Sequence, residues 1–188
     1  MDAGELGTTP AGISRRQFLG GLAAFGGTLL VAPGRALASS RGERHLSLVN
    51  THTSERLSVA YWGDGEYLPG ELARVEAFLR DFRTGERHAI DPALLDQLHE
   101  LSLAIGTSAS YQVISGYRSP RTNAVLRASG GGQARHSLHM QGRAIDVRLA
   151  GVSTQILRDA ALELRRGGVG YYRGPDFVHV DTGPVRRW

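Results

Sequence analysis

Two short stretches of this chain concentrate the side chains that bind metals and move protons. The first runs Ser137-Leu138-His139-Met140-Gln141-Gly142-Arg143-Ala144-Ile145-Asp146, and the second Asp176-Phe177-Val178-His179-Val180-Asp181. His139 leaves a loop, and Asp146 falls in the strand that follows. Alternation in that strand puts Asp146 on one face with Ala144 and Arg148, and Ile145, Val147 and Leu149 on the other. In the second stretch His179 and Asp181 share a face, opposite Val178 and Val180. Two neighbouring strands would thus offer a histidine, an aspartate and a histidine from their open sides. Three nitrogen and oxygen ligands leave a fourth tetrahedral position for water, as a catalytic zinc requires. On the residues alone, a hydrogen-bonded structural pair explains each spacing as well.

The elements that must position these groups read as α+β, an antiparallel sheet with helices packed on one side. From His45 to Trp62 the apolar residues alternate around a polar turn at 50–55, a β-hairpin. Positions 72, 75, 78, 79 and 82 keep a helical period. Asp91-Pro92 opens a second helix with an N-cap and a proline at its first position. Tyr111 to Gly116 is a strand, 121–128 a helix, and Gly130-Gly131-Gly132 a loop or mobile flap. Ser153 to Arg166 is a helix stopped by Gly167-Gly168. Two short strands, 169–172 and 177–181, close the chain.

Composition sets the outer bounds. The 188 residues suit one domain, and the absence of cysteine removes thiolate metal sites and cysteine nucleophiles. The net charge of +4 comes from scattered residues, with no basic run and no aromatic-interleaved stripe, so nucleic acid is not an expected partner. Residues 1–38 read as an address. Ser14-Arg15-Arg16-Gln17-Phe18-Leu19 is a twin-arginine pattern, an apolar run reaches Ala32, and Ala36-Leu37-Ala38 is a small-x-small cleavage site. The run is short for a bilayer core of about 30 Å. No later run is long enough to span one, so no stable membrane anchor is expected. The reading is a signal peptide (1–38), cleaved after export through the twin-arginine machinery, and a periplasmic domain (39–188).

The stretch from Ser137 to Asp146 matches S-x-H-x-x-G-x-A-x-D. It resembles the zinc D-alanyl-D-alanine carboxypeptidase/dipeptidase family, which shares its fold with the Hedgehog signalling domain. The likeness extends further, toward the murein endopeptidases of that family. It is carried by S-G-Y-R-S-P at 115–120, S-L-H-M-Q-G-R-A-I-D-V at 137–147, G-V-G-Y-Y at 168–172, F-V-H-V-D-T-G-P-V-R at 177–186 and Y-W-x-D-G at 61–65.

The resemblance implies one zinc ion held by His139, Asp146 and His179. It implies a general base three positions before the last histidine, here Asp176, one methylene shorter than the glutamate of the dipeptidase branch. Asp181 is the rival base, or a partner behind a ligand. Arg118 takes the place of the transition-state arginine, and Ser137 that of a substrate contact. The implied activity is hydrolysis of peptide cross-links in peptidoglycan. The alternatives are a D,D- or L,D-carboxypeptidase on wall stem peptides, a zinc amidase, and a non-catalytic wall-binding module with a structural metal. His136 reads as a loop residue near the site or an alternative ligand. Trp62 and Trp188 read as packing anchors, Arg186 and Arg187 as surface charges.

Overall fold

A computed structural model describes residues 42–188. The twin-arginine pattern and the cleavage site lie outside the described residues. Among the described residues, eight strands form one sheet: β1 (Arg44–Asn50), β2 (Arg56–Gly63), β3 (Glu66–Tyr67), β4 (Tyr111–Ser115), β5 (Ala144–Leu149), β6 (Gly168–Tyr172), β7 (Phe177–Asp181) and β8 (Arg186–Arg187). Four α-helices accompany them: α1 (Pro69–Phe78), α2 (Pro92–Ile105), α3 (Pro120–Ala128) and α4 (Thr154–Leu164). The strand order is β3-β2-β1-β4-β5-β7-β6-β8. The fold is α+β, but the sheet is mixed rather than antiparallel. β1 and β4 run parallel, as do β6 and β8. The first of these pairs follows from chain path: β3 is antiparallel to β2 and so runs with β1, and the long α1–α2 connection from β3 returns the chain as β4 in that same direction.

One face of the sheet carries Leu46, Leu48, Val59, Tyr61, Tyr111, Val113, Ile145, Val147, Val178 and Val180. Against it pack Val75 and Phe78 of α1, Leu94, Leu95, Leu98 and Leu101 of α2, and Leu157 and Ala161 of α4. Each fully buried Leu or Val contributes about 1.5–3 kcal/mol by leaving water. α3 adds no apolar residue to this core; its buried residues are Thr122 and Asn123.

Local signals set the helix ends. The Asp91 carboxylate accepts from the Ala93 amide, Pro92 occupies the first turn, and Gly106 takes the left-handed conformation at φ 74°. α1 begins at Pro69 and ends at Phe78, so it starts and stops three or four residues earlier than its apolar period suggests. The Leu79 carbonyl then accepts from the Tyr117 amide, which ties the end of α1 to the loop after β4. α4 stops at Arg165, itself left-handed at φ 52°, and not at the glycines beyond it. Those glycines serve close packing. A Cβ on Gly167 would lie 1.7 Å from the Asp181 carbonyl oxygen. Among the described residues, no helix is long and apolar enough to cross a membrane.

Candidate metal centre

Strand pairing brings the two polar stretches together. β5 and β7 are antiparallel neighbours, with Asp146 opposite His179 and Ala144 opposite Asp181. A 3-10 turn, Leu138–Gln141, delivers His139 to the same place. The Ser137 hydroxyl accepts from the His139 amide at 3.4 Å and starts that turn. Gly142 ends it at φ 64°, and a Cβ there would stand 2.0 Å from the Ala89 carbonyl oxygen. That contact explains the glycine in the ten-residue pattern.

Three donor atoms converge. His139 Nε2 lies 3.2 Å from His179 Nδ1 and 3.3 Å from Asp146 Oδ1. His179 Nδ1 lies 2.9 Å from Asp146 Oδ1. The other ring nitrogens are engaged behind the cluster. His139 Nδ1 donates to the Gly116 carbonyl at 2.8 Å, and His179 Nε2 to Asp181 Oδ2 at 3.0 Å. Since a carbonyl and a carboxylate only accept, both tautomers are fixed with their lone pairs facing each other and Asp146. Three facing acceptors repel unless a cation lies between them. A tetrahedral ion with bonds of about 2.0–2.2 Å has ligand–ligand edges of about 3.3–3.6 Å, so two of the distances above nearly match and the third needs to open by about half an ångström. The donor set of two imidazoles and a carboxylate, each imidazole tied behind to an acceptor, fits zinc.

Burial works to raise the Asp146 carboxyl, but His139 and His179 outweigh it and hold the group well below the usual carboxylate range. Burial likewise opposes charge on His179, while Asp146 and Asp181 raise its pKa overall. The cluster opens on a cavity of about 420 Å³ lined by Arg118, His136, Tyr172, Phe177, Arg186 and Trp188 among others.

Residues 38–188 match the family model described as peptidoglycan L,D-endopeptidase MepK. The chain belongs to this family. The peptidoglycan L,D-endopeptidase MepK of Escherichia coli (strain K12) is 43% identical over 176 residues, which cover 93% of this chain and 97% of that protein. The Shigella flexneri protein of the same name gives the same values. The probable peptidoglycan L,D-endopeptidase MepK of Haemophilus influenzae is 40% identical over 171 residues, 90% of this chain and 91% of that one.

Within this MepK-family fold, the run 115–120 works as one positioning unit. Register shifts after Val113, so that Ser115 faces Asp146. The Gly116 carbonyl holds His139. The Arg118 amide donates to the His139 carbonyl at 3.1 Å. Ser119 caps α3 and binds Asp81 through its amide (2.9 Å) and its hydroxyl (2.7 Å). The Arg118 side chain is thereby set beside the cluster, 3.7 Å from Asp146 Oδ2. Burial lowers its pKa, and Asp146 works against that shift. Its bonds to Asn123 (3.5 Å) and Ser115 (3.4 Å) are long, and its Nε is buried with no partner. Each Nη atom keeps a second N–H for an acceptor. Ser137 lines the cavity while capping the His139 turn.

Asp176 is not brought to the cluster. Its backbone is left-handed at φ 55°, and its carboxylate accepts from the Thr154 hydroxyl at 2.6 Å. Arg148 donates to the carbonyls of Pro175 and Asp176 and pairs with the Asp176 carboxylate at 3.7 Å. These partners turn Asp176 into a separate hollow with Arg148 and Thr154. Asp181 stands behind His179, fully buried. Its carboxylate accepts from His179, from the amides of Gly168 (3.0 Å) and Gly183 (2.8 Å), and from both ends of the Arg186 fork (3.1 and 2.7 Å). Burial pushes the acid up, but these donors win and hold it well below the usual range.

One sequence reading needs correction and another gains a location. Arg186 is not a free surface charge, because β8 returns beside β6 and carries it to Asp181. Trp188 does pack, but beside the site: its ring centre lies 5.2 Å from that of His179, and its Nε1 donates to the Tyr172 hydroxyl at 2.9 Å. Neither role is visible in the last three residues without the strand they lie against.

Proposed function

We propose that this chain is a zinc-dependent peptidoglycan endopeptidase that hydrolyses L,D peptide bonds in wall cross-links. The observation that carries this reading is the convergence of three lone-pair donors, each imidazole tied behind to an acceptor. Similarity over most of the chain to proteins named as L,D-endopeptidases supplies the substrate class. His139, Asp146 and His179 would hold the ion. Bound there, zinc polarises a carbonyl and makes a water acidic enough to attack it near neutral pH.

The chain's own residues would do the rest. Asp181 keeps His179 in the tautomer that offers Nδ1. Arg118 directs spare donors at the scissile carbonyl oxygen as it gains charge, or at a substrate carboxylate. Ser137 offers a polar contact on the cavity wall. The aromatic side of the cavity, Tyr172 stacked on Phe177 at 4.6 Å with Trp188 beside them, excludes water from the bound peptide. Residues 1–38 would direct export by the twin-arginine route, with cleavage after Ala38 and action in the periplasm.

The test is mass spectrometry of purified muropeptides after incubation with the protein, with zinc added or chelated. Zinc-loaded protein should split L,D-cross-linked dimers into monomers, and the chelated protein should not. Binding of dimers without cleavage would leave only a wall-binding module. Free peptides with bare glycan would mean an amidase instead.

A further inference from the structure

Peptide hydrolysis needs a group that takes a proton from the attacking water and returns it to the departing nitrogen. The acids nearest in sequence are unavailable for this. Asp176 faces another hollow, held by Thr154 and Arg148. Asp181 is 0% exposed, with both oxygens occupied by donors. Asp146 belongs to the ligand set. Of the other polar side chains lining the cavity, Arg118, Arg186 and the Gln133 amide cannot serve as bases, the Tyr172 phenol accepts from Trp188, and the Ser137 hydroxyl caps the His139 turn. Among the described residues, the remaining titratable group on that lining is His136.

Its placement suits the task. His136 lies outside the group whose donor atoms all fall within 4.8 Å of one another, so it is not a ligand. It is exposed and lines the cavity. Its segment is pinned on both sides. Asn123 Nδ2 donates to the Ala134 carbonyl at 3.2 Å, and Ser137 fixes the start of the 3-10 turn. Imidazole is the side chain suited to give and take a proton near neutral pH.

We infer that His136 is the general base and acid of this site, an inference that rests on the endopeptidase reading. As the water oxygen bonds to the carbonyl carbon, one water proton passes to an imidazole nitrogen of His136. As the C–N bond breaks, the bonding pair stays on nitrogen and that proton goes with it. The second water proton passes from the new carboxyl group to solvent. The products are a carboxylate and an amine, and the histidine is neutral again.

The test compares wild type with His136→Gln and His136→Gly on an isolated L,D-cross-linked dimer, with zinc affinity measured by chelator competition. The expected loss in kcat is about 10²–10⁴-fold. KM and zinc affinity should stay within a few-fold, and added imidazole should restore part of the turnover of His136→Gly. Wild-type kcat in His136→Gln would overturn the assignment and leave the endopeptidase reading standing. Loss of zinc from either variant, or failure of imidazole rescue with intact folding, would reassign His136 to a structural or ligand role. Zinc-loaded wild type with no turnover would overturn the endopeptidase reading itself.

Discussion

Asp181→Asn is the sharpest probe of how the centre is held. The carboxylate meets five donors. Gly168 N, Gly183 N and Arg186 Nη1 reach Oδ1, while His179 Nε2 and Arg186 Nη2 reach Oδ2. An asparagine has one oxygen for these two sets. With its oxygen at the first, its NH2 faces the His179 N–H, donor against donor. With the amide flipped, three donors lose their acceptor. The first arrangement favours the His179 tautomer that protonates Nδ1, the metal-facing atom. Loss of such an outer partner lowers metal affinity about 10–100-fold, or about 1.4–2.7 kcal/mol. The metal-free protein should also lose about 3–5 kcal/mol, because Arg186 and two amides are left beside a neutral group. Chelator competition gives the first quantity, and denaturant unfolding of the metal-free form the second. Measuring the metal-free form first separates folding from binding. A folded Asp181→Asn protein with wild-type zinc affinity would refute the claim that Asp181 acts through His179.

Two further outcomes concern the scaffold. Asp96 accepts from Arg44, from the Tyr61 hydroxyl (3.0 Å) and from the Tyr67 hydroxyl (2.7 Å), joining α2 to the first three strands. Burial opposes its charge, but these partners lower its pKa, and Asp81 is lowered likewise through Thr122 and Ser119. Their stabilisation is present above the unfolded value of about 3.9 and fades as pH falls through the lower folded values. Asp96→Asn should cost about 2–3 kcal/mol at neutral pH and flatten the loss of stability between about pH 5 and 3, read by denaturant unfolding at each pH. Gly142→Ala should destabilise by roughly 3 kcal/mol, since the left-handed turn and the Ala89 carbonyl both exclude a Cβ. It should also weaken zinc binding by displacing His139, and a thermal midpoint matching wild type would refute this.

Much of this was legible in the sequence because it is periodic or local. Alternation in 144–149 and 177–181 separates the core residues Ile145, Val147, Val178 and Val180 from Asp146, His179 and Asp181, although the polar set is buried as well, under the site. Asp91-Pro92 and Ser153 carry their own capping chemistry. What stayed hidden depends on distant partners. The parallel β1–β4 pair is set by a crossover, and β8 exists only by leaning on β6. The direction of Asp176 is decided by Arg148 and Thr154, 28 and 22 residues away. The spacing of Asp176 from His179 carries no trace of either. The Gly167-Gly168 pair looks like a helix stop, but its role is to let β6 lie against Asp181.

The register of β5 on β7 has a consequence for how errors in this protein are caught. Asp146 faces His179 in the same alignment that sets Val147 against Val178 and Ile145 against Val180. A slip of one residue would turn the valines outward and the ligands inward together. Correct assembly of the core and competence to hold an ion are thus one event, and a mispaired chain betrays itself twice, by sticky strands and by an empty grip. A folded, metal-free chain is an apoprotein waiting to be loaded, not a half-made one.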